Sequence, residues 1–266
     1  MAAAEQNCGV TERVAPDAPR SIGRVLNVLE ALVDFSDGAS LSELANHIGM
    51  PKSSLLVLLK AMVASGHLTS LGQRYRLGSA AFSLAQRMIS VQPGASILKD
   101  SLRELWLRTE ETAVLARFDR ERQLVTYLDA LESPLVVRYT VKLGLTRLLH
   151  CTAAGQAALA FQSEAYRENY LATAKLEPVT PRSITDPDRL REKLLQIRKD
   201  GYAVSVGEGV EGAVGIAAVL DTGSPESDHV FLVAGPTGRM EERVEEISEI
   251  LLEITRAASA ALRHLG

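Results

Sequence analysis

The sequence lacks the features of several protein classes. Its two cysteines, Cys8 and Cys151, are too few for a disulfide framework or a multi-thiolate metal site, which favours a reducing cytoplasm. Apolar runs such as residues 213–220 are far too short to span a bilayer, and no basic segment followed by an apolar one marks a secretory signal. Aromatic residues are only 5% of the 266, so aliphatic side chains must fill the core. The length allows one large domain or two modest ones.

Carboxylates are missing from one long internal stretch. After Glu43 the next acid is Asp100, although the whole chain carries 33 acids and a net charge of −4. At that overall frequency, a stretch of this length would hold about seven acids. It instead carries the cations Lys52, Lys60, Arg74, Arg76, Arg87 and Lys99. A surface with cations and no carboxylates suits a phosphate backbone, although chance or burial in an oligomer would leave the same pattern.

Capping signals predict two helices at the start of the chain. Residues 1–20 have the composition of a flexible tail, and Ser21 suits the N-cap of the first helix. The sequence Ser40-Leu-Ser-Glu43 is a capping box, so the second helix is expected to begin at Leu41 and to end at Gly49.

A third helix and a hairpin are predicted inside the acid-free stretch. Pro51 suits the first position of the helix and Gly66 suits its end. Residues 67–70 and 74–77 are predicted to form two short strands joined by a tight turn. The next helix begins at Ser79 and is stopped by a Pro-Gly pair at residues 93–94, which we interpret as the domain boundary.

The second and third helices have the pattern of a helix–turn–helix unit. Ala45 supplies the small residue that two steeply crossing helices need, and Gly49 supplies a turn residue that tolerates positive φ. The polar turn Pro51-Lys-Ser-Ser54 at the start of the third helix suits contact with base edges and phosphates. The hairpin then fits a wing, with Arg74 and Arg76 on one face. A plain three-helix bundle would share this spacing, so the prediction of DNA binding also depends on the acid-free stretch.

Beyond residue 94 the pattern becomes that of an α+β domain. Hairpin-like pairs of apolar runs alternate with helical segments. Predicted helices lie at residues 97–109, 153–161, 164–174, 187–200 and 239–266, and predicted strands at 112–118, 123–130, 135–141, 202–206, 213–220 and 230–234. The spacing of the last helix also fits a coiled-coil seam, but we expect it to pack on its own sheet. The helix from Ser79, with Phe82, Ala85 and Ile89 on one face, is the better candidate for subunit contact.

Motifs of catalytic or cofactor sites have simpler interpretations. The sequence Gly207-Glu-Gly-Val-Glu-Gly212 matches a dinucleotide-binding turn, but a strand follows it and its glutamates would repel phosphate, so a hairpin turn is predicted. His150 and Cys151 are adjacent on an extended chain and point to opposite faces, which argues against a thiol–imidazole pair. The five histidines show no ligand spacing. We therefore expect no enzyme, no cofactor and no metal.

Short stretches spread over almost the whole chain match one known family in order and spacing. They are Ser21-Ile-Gly-Arg24-Val-Leu26, Leu41-Ser-Glu-Leu-Ala45, Gly49-Met-Pro-Lys-Ser-Ser54, Gly66-His-Leu68, Tyr75-Arg-Leu-Gly78, His150-Cys-Thr-Ala-Ala-Gly155, Ile197-Arg-Lys-Asp-Gly-Tyr202-Ala203, Glu208 with Gly212, Ile216-Ala-Ala218 and Gly235-Pro236. In these stretches the chain resembles the IclR family of bacterial transcriptional regulators.

The resemblance implies an α+β protein of two domains. Residues 1–20 would be the tail, residues 21–78 a winged helix–turn–helix DNA-binding domain that is mostly α with a small β-hairpin, and residues 79–94 a linker helix. Residues 95–266 would form a GAF-like α/β effector-binding domain with a mainly antiparallel sheet. Members of this family commonly act as dimers or pairs of dimers on operator DNA.

The resemblance also implies DNA-contacting residues. The candidates are Arg24, Lys52, Ser53, Ser54, Lys60, Arg74 and Arg76. Where the family commonly has an arginine on the recognition helix, this chain has Val57, so the operator sequence of relatives cannot be carried over.

An effector site follows from relatives that bind small keto acids. Backbone amides of a small-residue loop hold the carboxylate there, and exposed amides at a helix start suit an anion. The loop matches Thr152-Ala153-Ala154-Gly155 in this chain. The other matching positions are Ser205, Gly215, Leu232 and Ala234, with Val136 and Tyr139 from the strand before the loop. Of the four positions on late strands only Ser205 has a polar side chain. This predicts a roomy, apolar cavity with one aromatic residue, and hence an aromatic or medium-length organic acid.

Together these features predict a cytoplasmic, sequence-specific transcriptional regulator gated by a small organic acid. In the alternative, the regulator acts by oligomerisation without a ligand, and a cavity too small for an organic acid would favour that alternative. An enzyme whose first domain only mediates assembly is the remaining class, and it lacks a catalytic constellation.

Overall fold

The computed structural model describes residues 20–35, 37–90, 94–221 and 228–264, without the side chains of residues 20–22, 89 and 90. The predicted tail at residues 1–20 lies outside this description except for Arg20. The chain divides into two compact units, Met1–Gln92 and Pro93–Gly266. In the described parts of the chain, no helix combines the length and apolarity that a membrane crossing needs.

Four helices and a small sheet build the first unit. Three helices and the sheet enclose a core that includes Val28, Leu44, Leu55 and Leu59, all fully buried. The helices are α1 (Arg20–Asp34), α2 (Leu41–Ile48), α3 (Lys52–Ala64) and α4 (Ser79–Ser90), and the strands are β1 (Ala39–Ser40), β2 (Leu68–Leu71) and β3 (Arg74–Leu77).

Local signals determine where α2 begins and ends. The Ser40 amide donates to the Glu43 carboxylate at 2.7 Å, and the Glu43 amide donates to the Ser40 hydroxyl at 3.2 Å, which confirms the capping box. Gly49 ends the helix at φ 70°, as predicted. Two other boundaries differ from the prediction, the start of α1 by two residues and the start of α3 by one. Arg20 is already helical, so Ser21 lies inside α1, and Pro51 is the N-cap of α3 rather than its first residue.

The wing is a three-stranded sheet in the order β1-β3-β2, with antiparallel pairs. The predicted hairpin is confirmed as β2 and β3, which are joined by Gly72 and Gln73, both at positive φ. Two such residues form the kind of turn whose twist matches that of a hairpin. Strand β1 was not predicted, because two residues are too few to show an alternating pattern.

The second unit is an antiparallel six-stranded sheet between two layers of helices. Its order is β6-β5-β4-β9-β8-β7. Helices α6, α7 and α8 contribute to the core on one face, and α5 and α10 to the core on the other. The strands are β4 (Thr112–Asp119), β5 (Leu124–Leu131), β6 (Thr146–Leu148), β7 (Ala203–Val206), β8 (Ala213–Val219) and β9 (His229–Pro236). The helices are α5 (Ala95–Thr109), α6 (Ala153–Ala160), α7 (Glu164–Thr173), α8 (Pro187–Asp200), α9 (Thr237–Met240) and α10 (Val244–Arg263).

The predicted strand at residues 135–141 is wrong. This segment is an irregular connection between β5 and the short edge strand β6. Side chains, rather than a neighbouring strand, satisfy several of its backbone groups. The Tyr139 carbonyl accepts from the Thr112 hydroxyl at 2.5 Å, the Val137 carbonyl accepts from Arg239 at 3.1 Å, and the Val141 amide donates to Glu132. Apolar composition predicted a strand, but the backbone found its partners elsewhere.

The last helix begins later than predicted. Residues 237–240 form the short helix α9, a 3₁₀ turn follows at Glu241–Arg243, and only then does α10 begin at Val244. The interruption turns Arg239 and Arg243 toward the buried carboxylate of Glu111. The packing of α10 was predicted correctly, because its buried residues belong to the core that β8 and β9 share.

Candidate DNA-binding surface and effector cavity

One face of α3 is exposed and free of acids. Leu55 and Leu59 are fully buried and anchor the helix, whereas Lys52, Ser53, Ser54 and Lys60 are all exposed. Lys52 occupies the first position of the helix, where the helix dipole disfavours a cation, and the first turn contains no acid to offset it. A phosphate anion at that helix start would relieve both unfavourable terms.

Val57 lies in the middle of this exposed face. Its side chain is 71% exposed, and it is one turn beyond Ser53 and almost one turn before Lys60. The position where the family commonly has an arginine therefore presents an apolar group to solvent. An apolar side chain can pack against the methyl group of thymine, but it cannot hydrogen-bond a base edge as an arginine can.

The wing arginines hold the start of the sheet as well as carrying charge. Arg74 donates to the Gly38 carbonyl at 2.6 Å and lies 3.5 Å from the Glu43 carboxylate. Arg76 donates to the Asp37 carbonyl at 3.1 Å. Both guanidinium groups therefore use some of their N–H donors for hydrogen bonds inside the domain, which the sequence pattern did not indicate. Arg24 is exposed on α1, a different element from the other candidates.

The second unit contains a cavity of about 40 Å³. It lies between the sheet face that carries α6, the start of α6 itself, and the turn between β7 and β8. Six predicted effector residues line it, namely Tyr139, Ala153, Ser205, Gly215, Leu232 and Ala234. Gly215 allows α6 to approach the sheet, since a Cβ atom there would lie 3.3 Å from that of Ala153.

Three other predicted effector residues do not line the cavity. Val136 is 94% exposed on the irregular connection, because the strand that would have turned it inward does not form. Ala154 and Gly155 are buried in the first turn of α6. A Cβ atom at residue 155 would lie 2.5 Å from the Cα atom of Leu149, so this glycine permits close packing of backbone on backbone.

The cavity is both smaller and more polar than the roomy, apolar one predicted. Arg147 on β6, Tyr127 on β5 and Thr152 at the N-cap of α6 also line it, so it holds two tyrosines and a cation. Burial raises the pKa of Tyr127 well above its usual range, which keeps its hydroxyl neutral. Sequence reasoning missed Arg147, although a single arginine in the apolar run at residues 143–151 was a signal for it.

His150 and Cys151 behave as buried structural residues. Burial raises the pKa of the Cys151 thiol to about 11, which leaves it protonated at neutral pH. Burial lowers the pKa of His150, whose Nε2 lies 2.9 Å from the Glu177 carbonyl. The predicted hairpin turn at Gly207–Gly212 is confirmed, since β7 and β8 pair antiparallel on either side of it.

A winged helix–turn–helix unit joined to a second domain with a curled antiparallel sheet defines a DNA-binding transcriptional regulator. Two family models match the chain, the IclR helix-turn-helix domain over residues 21–72 and the bacterial transcriptional regulator IclR C-terminal domain over residues 86–260. The chain therefore belongs to the IclR family.

Individual relatives agree with this assignment. The chain is 32% identical to the HTH-type transcriptional regulator Rv1719 of Mycobacterium tuberculosis, over 87% of this chain and 88% of that one. It is 26% identical to the transcriptional repressor IclR of Escherichia coli, over 91% and 89%. An IclR homologue from Microbacterium hydrocarbonoxydans, solved in complex with 4-hydroxybenzoate, is similar in structure with a TM-score of 0.79 and 25% identity, over 92% and 99%. The first two of these relatives are named as a transcriptional regulator and a transcriptional repressor.

Proposed function

We propose that this protein is a transcriptional regulator that reads operator DNA with α3 and is gated by a small organic acid in the effector cavity. The exposed, acid-free face of α3 is the observation that carries the DNA-binding part. Lys52 and Lys60 would bind phosphates, and Ser53 and Ser54 would face base edges. Arg24, Arg74 and Arg76 would add phosphate contacts from α1 and the wing.

An acid is the ligand class that the effector cavity favours. Of the described residues that line it, none is acidic, while Arg147 and the start of α6 both favour negative charge. The structural relative with 4-hydroxybenzoate supports the same class. As it stands, the cavity of about 40 Å³ has room for about three waters, which is the space that a two-carbon acid such as glyoxylate needs. The aromatic acid predicted from the sequence would need the cavity to expand.

Removal of the two lysines of α3 is expected to weaken DNA binding through its electrostatic part. For Lys52→Gln with Lys60→Gln, the plot of log affinity against log salt should lose about two units of slope for each α3 on the DNA, and hence about four for a dimer on its operator, because each lysine releases about one counterion. Fluorescence anisotropy on duplexes from the DNA upstream of the protein's own gene measures this. Lys175→Gln with Lys199→Gln, both exposed in the second unit, is the charge-matched control and should leave the slope unchanged. A slope unchanged in the double variant would contradict the assignment of α3.

Calorimetry against a panel of acids tests the effector. Glyoxylate, pyruvate, benzoate and 4-hydroxybenzoate should include at least one binder, and that binder should change the DNA affinity measured above. Tight binding of glyoxylate or pyruvate alone would show that the cavity keeps its present size and would refute the aromatic hypothesis. Selective binding of the benzoates would support it.

Regulation by oligomerisation alone is the second candidate. Its support is the small volume of the cavity, about 40 Å³, together with α4, on which Phe82 and Met88 are each 59% exposed, so that an apolar surface is available for a second copy of the chain. A homodimer or pair of dimers forms in either case under our proposal. If no acid of the panel binds and DNA affinity depends only on protein concentration, the second candidate is favoured.

A further inference from the structure

Arg147 is a cation without a matching anion. It lies on the edge strand β6, opposite Val125 of β5, and its side chain enters the effector cavity. Its Nη2 lies 3.4 Å from the Tyr139 hydroxyl, which is a long contact. Its Nε is buried and has no hydrogen-bond partner. Among the described residues, Arg147 forms no ion pair, and the groups that act on it electrostatically are Tyr127 and Tyr139.

This arrangement is unfavourable unless a ligand completes it. A buried donor without an acceptor costs free energy, and a partly desolvated guanidinium costs more when no carboxylate faces it. Other arginines in this unit do find acids, as Arg239 does with Glu111 and Arg191 with Glu168. A guanidinium presents donors in a planar fork that fits a carboxylate with two parallel hydrogen bonds. Arg147 thus has the geometry of a carboxylate receptor.

We infer that Arg147 determines effector specificity by binding the carboxylate of the ligand, and that Tyr127 and Tyr139 donate further hydrogen bonds to it. This inference rests on the proposed function, and it names the class as monocarboxylates with an apolar remainder. The carboxylate lies at the tyrosine end of the cavity, and the remainder packs against Leu232 and Ala234. The amides at the start of α6 then help to hold the ligand, but they do not determine whether an acid or its neutral amide binds.

The competing arrangement places the carboxylate at the start of α6, and Arg147 then makes no contact with it. The two arrangements differ in what happens when the charge of the ligand or of residue 147 is removed. A helix start also hydrogen-bonds a neutral carbonyl, whereas an arginine fork in a partly dry cavity discriminates strongly between a carboxylate and the amide of the same shape.

The experiment compares each acid with its neutral amide by calorimetry on the full chain. Pyruvate with pyruvamide and benzoate with benzamide are the probes, and the proteins are the wild type, Arg147→Met and Arg147→Lys. The wild type is expected to bind at least one acid about 30-fold or more tighter than its amide, a typical effect for a charged hydrogen-bonded pair. Arg147→Met should lose that acid affinity about 30-fold or more and lose the discrimination, and Arg147→Lys should be intermediate. Arg122→Met, on the β4–β5 turn, is the matched control and should bind as the wild type does.

The outcomes separate this inference from the proposed function. An acid that binds the wild type and Arg147→Met equally well, and that still changes DNA affinity, overturns the role of Arg147 and leaves the proposed function standing. An acid and amide that bind the wild type equally well overturn the inference in the same way. Absence of binding of every acid of the four-acid panel to the wild type overturns both this inference and the effector-gated part of the proposed function. If Arg147→Met does not fold, as judged by circular dichroism, two measurements still test the inference. They are the ratio of acid to amide affinity in the wild type and the affinity of Arg147→Lys for the acid.

Discussion

Replacing Arg239 with methionine is expected to lower the free energy of unfolding of the second domain by about 3 kcal/mol. Glu111 is fully buried, and Arg239 donates to it through both Nε and Nη2, the latter at 2.8 Å. Methionine keeps much of the apolar stem but leaves a buried carboxylate whose nearest remaining cation, Arg243, is 3.8 Å away. Urea unfolding followed by the fluorescence of Trp106, the single tryptophan, reports on this domain.

Arg108→Met is the control, because Arg108 forms an ion pair with a similar N–O distance but with a carboxylate that is exposed to solvent. Arg108 lies 2.7 Å from the carboxylate of Glu253, whose side chain is 66% exposed. A solvated pair of this kind contributes little to stability, because water screens it and takes the place of a missing partner. Equal losses for the two variants would contradict the argument that burial of Glu111 sets the cost.

Gly155→Ala is expected to have a comparable effect for a different reason. Its Cβ atom would lie 2.5 Å from the Leu149 Cα atom and 2.7 Å from the Leu148 carbonyl oxygen, and backbone atoms cannot rotate away as a side chain can. We expect a loss of about 3 kcal/mol, the upper end for overpacking. Because α6 must move away from β6, Thr152 and Ala153 leave the cavity wall, and binding of the panel acids should weaken as well.

Gly238→Ala supplies the comparison for that variant. In α9 an added Cβ atom would find no neighbouring heavy atom within 4 Å. Alanine favours helical backbone over glycine, so the unfolding free energy should rise by up to about 1 kcal/mol. Similar behaviour of the two variants would show that close packing at residue 155 is not what requires glycine there.

The helix ends and the hairpin of the first domain could be predicted from the sequence, because their signals are local. The capping box at residues 40–43 and the glycine at residue 49 act through neighbouring atoms, so the sequence contains all that is needed to place them. The hairpin of the wing is similarly local. The roles of Arg74 and Arg76 were not predictable, because their acceptors are carbonyls of residues 37 and 38, far away along the chain.

Long-range partners explain what was missed in the second domain. Residues 135–141 have the composition of a strand, but hydrogen bonds from Thr112 and Arg239 hold them as an irregular connection. The late-strand positions that the family resemblance indicated line one cavity, and their role as effector contacts stays a prediction. Arg147 was not predicted, because the family pattern that was carried over gave no role to that position, and only the pairing of β6 with β5 places it beside Tyr127.

The strand order has a geometric consequence for the cavity. Arg147 and Ser205 lie on β6 and β7, the two outermost strands, and yet both line one space of about 40 Å³. In a flat sheet those strands would be about 24 Å apart, since neighbours are spaced by about 4.8 Å. The sheet must therefore curl so that its two edge strands approach each other, and the proposed effector, in contact with both edges, would set the curvature of all six strands at once.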